Sequence, residues 1–165
     1  MTAQRVIGIT GWKNSGKTTL TERLVAELVR RGHRIATIKH AHHSFDIDHP
    51  GTDSFRHRAA GASEVAIVSG NRWAMVHELR TAPEPPLGAI LARLSPCDLV
   101  VIEGYKREAH PKIEVRRLEA RSREPLAPAD DTIVAVAADH AVDVPLPAFG
   151  IDDVAAIADF VETLT

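Results

Sequence analysis

The sequence predicts an α/β fold, in which a mostly parallel sheet is flanked by helices and carries an added antiparallel β-hairpin. Apolar strand-like runs alternate with amphipathic helix-like runs along the chain. The run 99–103 is apolar at nearly every position, which is typical of a parallel strand covered on both faces. Ligand sites in such sheets lie at the carboxyl ends of the strands, so we expect the functional residues at that edge.

The start of the chain predicts a strand, a helix and a second strand. The apolar run 6–10 forms the first strand, and a helix is expected over 18–31 because apolar residues recur there with helical spacing. Its apolar face comprises Leu20, Leu24, Val25, Leu28 and Val29, and Gly32 is placed to end it. A short buried strand is expected over 35–39.

The middle of the chain predicts a loop, a short helix and a hairpin. Residues 40–52 are polar and follow the second strand as a loop. Asp53 is expected to cap a helix that runs through Ala60 and is closed by Gly61. Two apolar runs, 65–68 and 73–76, flank a Ser-Gly-Asn-Arg tetrapeptide whose turn chemistry predicts a β-hairpin.

The rest of the chain continues the alternation. The expected elements are a proline-rich linker over 82–86, a helix over 87–94, strands over 99–103, 113–115 and 133–138, and a polar loop over 117–131. Asp152 and Asp153 open a final helix, since apolar residues follow them at helical spacing. Those residues are Val154, Ile157, Val161 and Leu164.

Composition limits the function classes. A chain of 165 residues that is 44% hydrophobic is expected to form a single domain, residues 1–165. Its net charge of −2, with arginine and lysine scattered, argues against a nucleic-acid partner. The lone Cys97 forbids an intrachain disulfide. No apolar stretch has the length of a membrane span or the form of a signal peptide, so we expect no membrane partner and a cytoplasmic location.

Residues 11–18 fit the pattern G-x-x-x-x-G-K-[ST] between the first strand and the first helix, which predicts a phosphate-binding P-loop. Its glycines let backbone N–H groups curl around a phosphate at the positive end of the helix. Lys17 is expected to reach the β- and γ-phosphates, Thr18 to ligate Mg²⁺ and Thr19 to support the α-phosphate. The candidate nucleotide-binding residues here are Gly11, Asn14, Ser15, Gly16, Lys17, Thr18 and Thr19.

The strand 99–103 ends in Glu103, which resembles a Walker B strand. A carboxylate at the end of a buried strand can orient Mg²⁺ or the attacking water, so Glu103 and Lys17 are the candidate catalytic residues. By analogy with related NTPases, Gly104 is expected to present its N–H to the γ-phosphate. The fold class is therefore narrowed to a P-loop NTPase.

The segment 37–54 holds four histidines and three aspartates. One interpretation is a solvated polar loop. A second is a metal site formed by His40, His42, His43 and His49. The interpretation we prefer is a switch-like segment that brings Lys39 and an aspartate, Asp48 or Asp53, to the γ-phosphate or to the phosphate of a second substrate. Asp48 and Asp53 are also candidate metal ligands, together with Thr18 and Glu103.

Lysine is scarce. The chain has fifteen arginines and only five lysines, and all five lie in segments that carry motifs: Lys13, Lys17, Lys39, Lys106 and Lys112. An ammonium and a guanidinium are not interchangeable at phosphate sites. Each lysine is therefore a candidate for a phosphate or site role, with an exposed surface position as the alternative.

These motifs together resemble the molybdopterin-guanine dinucleotide biosynthesis protein B family, small P-loop proteins that bind GTP. The runs I-K-H-x-H-H at 38–43 and D-x-D-x-P-G-x-D-S at 46–54 carry most of the resemblance. Further matching segments are 11–20, 72–74, 98–106, 133–139 and 151–161, so the likeness spans nearly the whole chain.

The resemblance implies a homodimer that binds GTP and assists a partner guanylyltransferase, which attaches guanylate from GTP to molybdopterin. It also implies GTPase activity that is weak at most. Lys17, Thr18 and Glu103 carry over directly to the family pattern. The chain lacks N-K-x-D, the usual guanine-reading tetrapeptide, and Asp139 is the candidate substitute, with a turn acid as the alternative.

Two other function classes stay open. A small-molecule kinase would use the same P-loop, with Lys39 and Asp48 binding an acceptor and an arginine-rich lid formed by Arg117, Arg121 and Arg123. A nucleotide-dependent metal chaperone would use the histidine loop as its cargo site.

Overall fold

The computed structural model describes residues 4–41 and 45–164. The chain divides into two compact units, each described by itself below. The core unit comprises Met1–His40 and Leu87–Thr165, and the inserted unit comprises Ala41–Pro86. That the whole chain is one nucleotide-binding domain stays a prediction.

A six-stranded parallel sheet forms the centre of the core unit, with strand order β2-β5-β1-β6-β7-β8. Its strands are β1 (Val6–Thr10), β2 (Ile35–Lys39), β5 (Leu99–Glu103), β6 (Lys112–Arg116), β7 (Ile133–Ala138) and β8 (Ala148–Gly150). Its helices are α1 (Lys17–Arg30), α3 (Leu87–Leu91) and α4 (Val154–Thr163). Because every pair is parallel, the loops after β1, β2, β5, β6 and β7 all leave from the same edge.

Helices α1 and α4 cover one face of this sheet. Leu20, Leu24 and Leu28 on α1 are 0–1% exposed and pack in one cluster with strand residues and with Ile157 of α4. Val29, which we placed on the same face, is 53% exposed. The buried residues are spaced by four, so the next residue along is turned away from the sheet by about 100°.

The opposite face combines an apolar and a polar part. Helix α3 covers β2 and β5 through a small cluster that contains Leu87, Ile38 and Ile102. On β6 the same face carries Lys112 and Glu114, which are 1% and 0% exposed. Buried charges are costly unless they are paired and hydrogen-bonded, so this part of the face is held by polar contacts described below.

The two ends of the core unit's chain are tied together. The guanidinium of Arg5, just before β1, donates hydrogen bonds to the carbonyl oxygens of Val161, Glu162 and Leu164 at distances of 3.3, 3.2 and 2.8 Å. The last carbonyls of a helix lack an i+4 partner within it, and Arg5 supplies donors there, although the carbonyl of Val161 also accepts from the N–H of Leu164 at 3.2 Å. The contact lies at the amino-terminal edge of the sheet, opposite the edge where the P-loop begins.

The inserted unit consists of α2 (Asp53–Ala59) and an antiparallel hairpin of β3 (Glu64–Val68) and β4 (Trp73–His77). Its charge centre is Arg58, whose guanidinium pairs with Asp46, Asp48 and Glu78 at 2.9, 3.5 and 2.7 Å. The carboxylates of Asp46 and Glu78 accept hydrogen bonds from it. This network links the start of the unit, its helix and the end of its hairpin.

The predicted fold class is confirmed, including the parallel sheet with helices on both faces and the separate hairpin. Besides the position of Val29, three details were wrong. Thr52, not Asp53, is the N-cap of α2 and accepts from the N–H of Phe55. Helix α3 ends at Leu91 rather than at 94. The short strand β8 (Ala148–Gly150) was not predicted.

Candidate phosphate-binding site

The loop between β1 and α1 has a glycine-dependent backbone. Gly11 and Gly16 have φ angles of 147° and 89°, and Asn14 has φ 65°. A Cβ on Gly11 would lie 2.6 Å from the backbone oxygen of Val115, so no side chain fits there. Gly16 is the N-cap of α1, and the loop therefore ends where the backbone N–H groups of the helix are free to bind an anion.

Lys17 folds back over this loop. Its ammonium donates a 2.6 Å hydrogen bond to the carbonyl oxygen of Trp12. Burial lowers the pKa of Lys17, and the ammonium of Lys106 lowers it further, while the Glu103 carboxylate raises it. The ammonium of Lys39 also lowers the pKa of Lys17. Two further cations, Lys106 and Lys39, thus act electrostatically on Lys17. An excess of positive charge at a helix N-terminus favours a bound anion.

Glu103 joins two predicted site residues. Its Oε1 accepts a 2.9 Å hydrogen bond from the hydroxyl of Thr18 and lies 3.5 Å from the ammonium of Lys39. The side chain of Glu103 is 13% exposed, because β5 is an inner strand of the sheet. The hydroxyl and the carboxylate are hard oxygen donors of the kind that Mg²⁺ prefers, so this pair fits a magnesium ion.

Ser15 adds a second sign that the loop is built around a ligand. Its residue is 1% exposed, and its hydroxyl oxygen has no hydrogen-bond partner among the described residues. A buried polar group without a partner is uncommon in folded proteins and calls for an explanation at that place. A phosphate oxygen in the loop is one acceptor that would satisfy the hydroxyl.

Gly104 follows Glu103 and adopts φ 101°. A Cβ there would lie 2.9 Å from the Cβ of His40, so the two loops pack too closely for a side chain. The N–H of His40 donates to the carbonyl of Glu103 at 2.9 Å, and the His40 ring stacks on Tyr105 with centroids 4.3 Å apart. The N–H of Gly104 donates a long, 3.4 Å bond to the carbonyl of Ile9, and its predicted contact with a γ-phosphate stays a prediction.

Trp12 was not predicted as a site residue. Its indole N–H donates to the carbonyl of Glu124 at 2.7 Å, and the ammonium of Lys106 lies 4.8 Å from the centre of its ring. The N–H of Arg121 also donates to the carbonyl of Lys13 at 2.9 Å. The P-loop is thus tied to segment 117–131, which the sequence predicts only as a polar loop and, in the kinase alternative, as an arginine-rich lid.

Segment 117–131 is itself held by the buried Glu114. The carboxylate of Glu114 accepts from the N–H groups of Leu126 and Ala127 at 2.8 and 3.0 Å and from the Arg116 guanidinium at 2.7 Å. Lys112 donates to the carbonyl of Glu108 at 2.5 Å and to the hydroxyl of Thr132. Lys112 was a candidate for a phosphate or site role, with an exposed position as the alternative, and it is instead buried in this network. The structural role of Glu114 was not predicted, although the alternation of apolar and charged residues in Lys-Ile-Glu-Val-Arg was visible.

Asp139 lies just after β7 and already has several partners. Its carboxylate accepts from the N–H of Leu118 at 3.1 Å and from the His140 ring at 2.8 Å, and Arg117 lies 3.6 Å away. The bond from His140 is the main reason that the pKa of Asp139 is below its usual range, so the carboxylate is charged. Its role in reading guanine stays a prediction.

Asp48 and Asp53 belong to the inserted unit. The carboxylate of Asp48 is engaged there by the hydroxyls of Thr52 and Ser54 at 2.7 and 3.0 Å, and the Thr52 bond is the first cause of its lowered pKa. The side chain of Asp53 is 88% exposed and lies 3.6 Å from Arg56. The metal and phosphate roles of both aspartates stay predictions.

The predicted histidine site falls partly outside the structure. His42 and His43 lie outside the described residues, whereas His40 and His49 lie within them. Within 4–41 and 45–164, no three histidine, cysteine, aspartate or glutamate side chains are grouped so that they could hold a metal. The same residues contain no helix that is long and apolar enough to cross a membrane.

Two bacterial proteins resemble most of this chain in sequence. Both are molybdopterin-guanine dinucleotide biosynthesis adapter proteins. The one from Haemophilus influenzae is 39% identical over 160 residues, which covers 95% of this chain and 87% of that protein. The one from Escherichia coli is 37% identical over 158 residues, covering 94% and 90%.

Solved structures show the same fold. A crystal structure of molybdopterin-guanine biosynthesis protein B superposes with a TM-score of 0.75 at 28% identity, covering 97% of this chain and 99% of the other. The Bacillus subtilis MobB structure also gives 0.75, at 25% identity and 96% coverage of both chains. The model of the MobB family, molybdopterin guanine dinucleotide synthesis protein B, matches residues 6–139. On this evidence the chain belongs to the MobB family.

Proposed function

We propose that this protein binds GTP with Mg²⁺ at residues 11–19 and acts as an adapter in the formation of molybdopterin guanine dinucleotide. Its partner would be a guanylyltransferase that transfers guanylate from GTP to molybdopterin, and both would work in the cytoplasm. The related bacterial proteins are named as adapters of this biosynthesis. The observation that carries the nucleotide part is the 2.9 Å bond between Thr18 and Glu103, which joins the P-loop to the end of β5.

Each residue has a separate task in this proposal. Lys17 neutralises the β- and γ-phosphates, and the N–H groups of 14–19 bind phosphate oxygens. Thr18 and Glu103 hold Mg²⁺, which when bound neutralises phosphate charge. Glu103 also positions a water molecule for attack, which gives at most a weak GTPase.

Guanine recognition is assigned to Asp139. A charged carboxylate can accept hydrogen bonds from the N1 and N2 hydrogens of guanine, and adenine does not offer this pair of donors. The lowered pKa of Asp139 keeps it in that form. Its neighbours Leu118 and Arg117 come from the segment that is tied to the P-loop.

Two further parts complete the proposal. We assign a switch role, responding to the γ-phosphate or to the phosphate of molybdopterin, to Lys39 at the end of β2 in the core unit, and we keep the same role as a prediction for Asp48 and Asp53 of the inserted unit. The hairpin would form a homodimer interface. Its register places Val68 opposite Trp73 and Ala66 opposite Met75, so these apolar residues share one face. Val68, Trp73 and Met75 are 75%, 68% and 54% exposed.

Exposed apolar side chains that are adjacent on one face mark interaction sites more often than scattered ones do. A second copy of the chain would cover this face and remove the apolar area from water. The homodimer is thus assigned to the hairpin rather than to the charged outer faces of α1 and α4.

Calorimetric titration with GTP and ATP in Mg²⁺ tests the nucleotide part. We expect wild-type protein to prefer GTP and Lys17→Ala to lose most of its affinity for the triphosphate. Arg107→Ala is the matched control, because it removes an exposed cation from the loop that follows β5. Unchanged binding by Lys17→Ala would remove the P-loop assignment. Equal or better ATP binding, with a phosphorylated small-molecule product, would favour the kinase alternative.

A further inference from the structure

Trp12 places two ammonium groups beside one loop. The first is Lys17, bonded to its carbonyl oxygen at 2.6 Å, and the second is Lys106, whose Nζ lies 4.8 Å from the centre of its indole ring. Trp12 is the second residue of the P-loop. Lys106 is therefore held over the loop that already carries the predicted phosphate ligands.

Lys106 is positioned by an aromatic ring and not by an acid. Among residues 4–41 and 45–164 no carboxylate pairs with it, and burial lowers its pKa. A partly buried ammonium without a counter-ion is unfavourable in the free protein, and an anion at the same place removes that cost. Its N–H donors are not used by a carboxylate and so are available to phosphate oxygens.

The backbone before Lys106 is bent to direct it there. Gly104 and Tyr105 both have positive φ angles, 101° and 47°. The second is uncommon for a residue with a side chain, and such conformations cluster at functional sites. The bond from the N–H of Gly104 to Ile9 attaches this turn to β1, directly before the P-loop.

Trp12 is itself fixed in position. Its indole N–H is bonded to the carbonyl of Glu124 at 2.7 Å, and Glu124 lies in the segment that the buried Glu114 anchors two residues later. The ring that carries Lys106 is therefore held from both sides, through the P-loop backbone and through segment 117–131.

We propose that Lys106 binds the terminal phosphate of the bound nucleotide and makes the site discriminate GTP from GDP. The inference rests on the nucleotide binding proposed above and goes further by naming the group that recognises the third phosphate. Lys106 lies three residues after Glu103, the last residue of β5, whose carboxylate contacts Lys39 and Thr18. A triphosphate carries about one more negative charge than a diphosphate, and Lys106 supplies the added cation.

The test compares GTP and GDP affinities in Mg²⁺ for wild type, Lys106→Gln, Lys106→Arg and the exposed neighbour Arg107→Gln. Losing a hydrogen-bonded ammonium should weaken GTP binding about ten- to a hundred-fold. GDP binding should change less than about fivefold, as for an exposed charge. Lys106→Arg should recover part of the GTP affinity, and Arg107→Gln should leave both affinities near wild type.

The outcomes separate the two proposals. Equal losses for GTP and GDP, or no loss for either, would overturn the role of Lys106 while the Lys17-dependent binding of GTP by wild type stands. A wild-type protein that binds no GTP would overturn both. Trp12→Leu is a second test of the role of Lys106, because it removes the ring that holds the ammonium. This variant should also weaken GTP binding more than GDP binding.

Discussion

Thr18 and Glu103 lie 85 residues apart in the chain, and the hydroxyl of one donates to the carboxylate of the other at 2.9 Å. The bond exists because β1 and β5 are adjacent parallel strands, which brings the loops that follow them to the same edge. Lys39, at the end of the next strand over, reaches the same oxygen at 3.5 Å. Side chains from α1 and from the end of β2 therefore meet at the carboxylate that ends β5.

Replacing Glu103 by glutamine should reduce GTP hydrolysis more than GTP binding. The amide keeps an oxygen that can accept from Thr18, but it loses the negative charge that orients Mg²⁺ or the attacking water. Phosphate release and calorimetric affinity measured on the same preparation check this, with Glu119→Gln as a control at a side chain that is 78% exposed. If Glu103→Gln leaves both quantities untouched, its placement in the site is wrong.

Gly11→Ala should lower the free energy of unfolding by about 1–3 kcal/mol, because Gly11 has φ 147° and an added Cβ would lie only 2.6 Å from the carbonyl oxygen of Val115. Gly88→Ala is the matched control, since that glycine lies in α3 with nothing within 4 Å of the added carbon. The control should be neutral or stabilise by up to about 1 kcal/mol. Urea unfolding of both variants measures the difference, and equal stabilities would contradict the prediction.

Glu114→Ala should lower the free energy of unfolding by about 3–5 kcal/mol, which is the usual effect of removing one partner from a buried charge network. It leaves the guanidinium of Arg116 and the N–H groups of Leu126 and Ala127 without their acceptor. We expect lower stability in urea and new proteolytic cleavage within 117–131. Glu119→Ala should show neither, and a Glu114→Ala variant that resists protease like wild type would rule out this anchoring role.

His110 should make the protein acid-sensitive. Burial, and then the nearby Lys112, lower its pKa from 6.5 to about 4, against a smaller opposing effect of Asp130. At a pH between these two pKa values, the His110 ring binds a proton in the unfolded chain but not in the folded chain. The free energy of unfolding therefore falls as the pH drops from 7 to 5. Between pH 7 and pH 5, the free energy of unfolding of His110→Phe should fall by about 1–2 kcal/mol less than that of wild type.

Urea unfolding at pH 7 and pH 5 makes that comparison. His33→Phe is the control, because the ring of His33 is 31% exposed and lies 2.6 Å from Glu162. Identical pH dependence in wild type and His110→Phe would show that this ring does not control the acid response.

Trp73→Ser should shift the protein toward the monomer. The change removes the largest side chain of the exposed hairpin face, where Val68 lies directly opposite. Light scattering coupled to size exclusion gives the mass, with Leu118→Ser, which is 47% exposed in the core unit, as the control. A wild-type monomer, or a dimer that survives Trp73→Ser, would move the interface elsewhere.

The sequence pattern predicted helices and strands best in two cases: where one face of the segment is apolar and the other polar, and where both faces are apolar. Helix α1 was placed within one residue at each end, and β5 was placed at its observed ends. The short β8 was missed because Ala148–Gly150 follows two prolines and lies at the sheet edge, where it makes a single pairing with β7. A three-residue strand has no periodicity to read.

Some site residues could also be predicted from the sequence, whereas others could not. Lys17, Thr18 and Glu103 follow from local motifs, since each spacing has a direct chemical meaning. Trp12 and Glu114 do not, because their partners Glu124 and Leu126 are distant in sequence and are backbone groups. A backbone carbonyl or N–H is present at almost every residue, so no side-chain pattern marks it as a partner.

The contact of Arg5 with the end of α4 has a practical consequence. It brings both ends of the described chain together at the edge of the sheet away from the P-loop. A label or surface attachment placed at either end would leave the phosphate loop accessible, so immobilised protein can be used for nucleotide titrations. A circularly permuted chain could also join these ends with a short linker and open in an exposed turn.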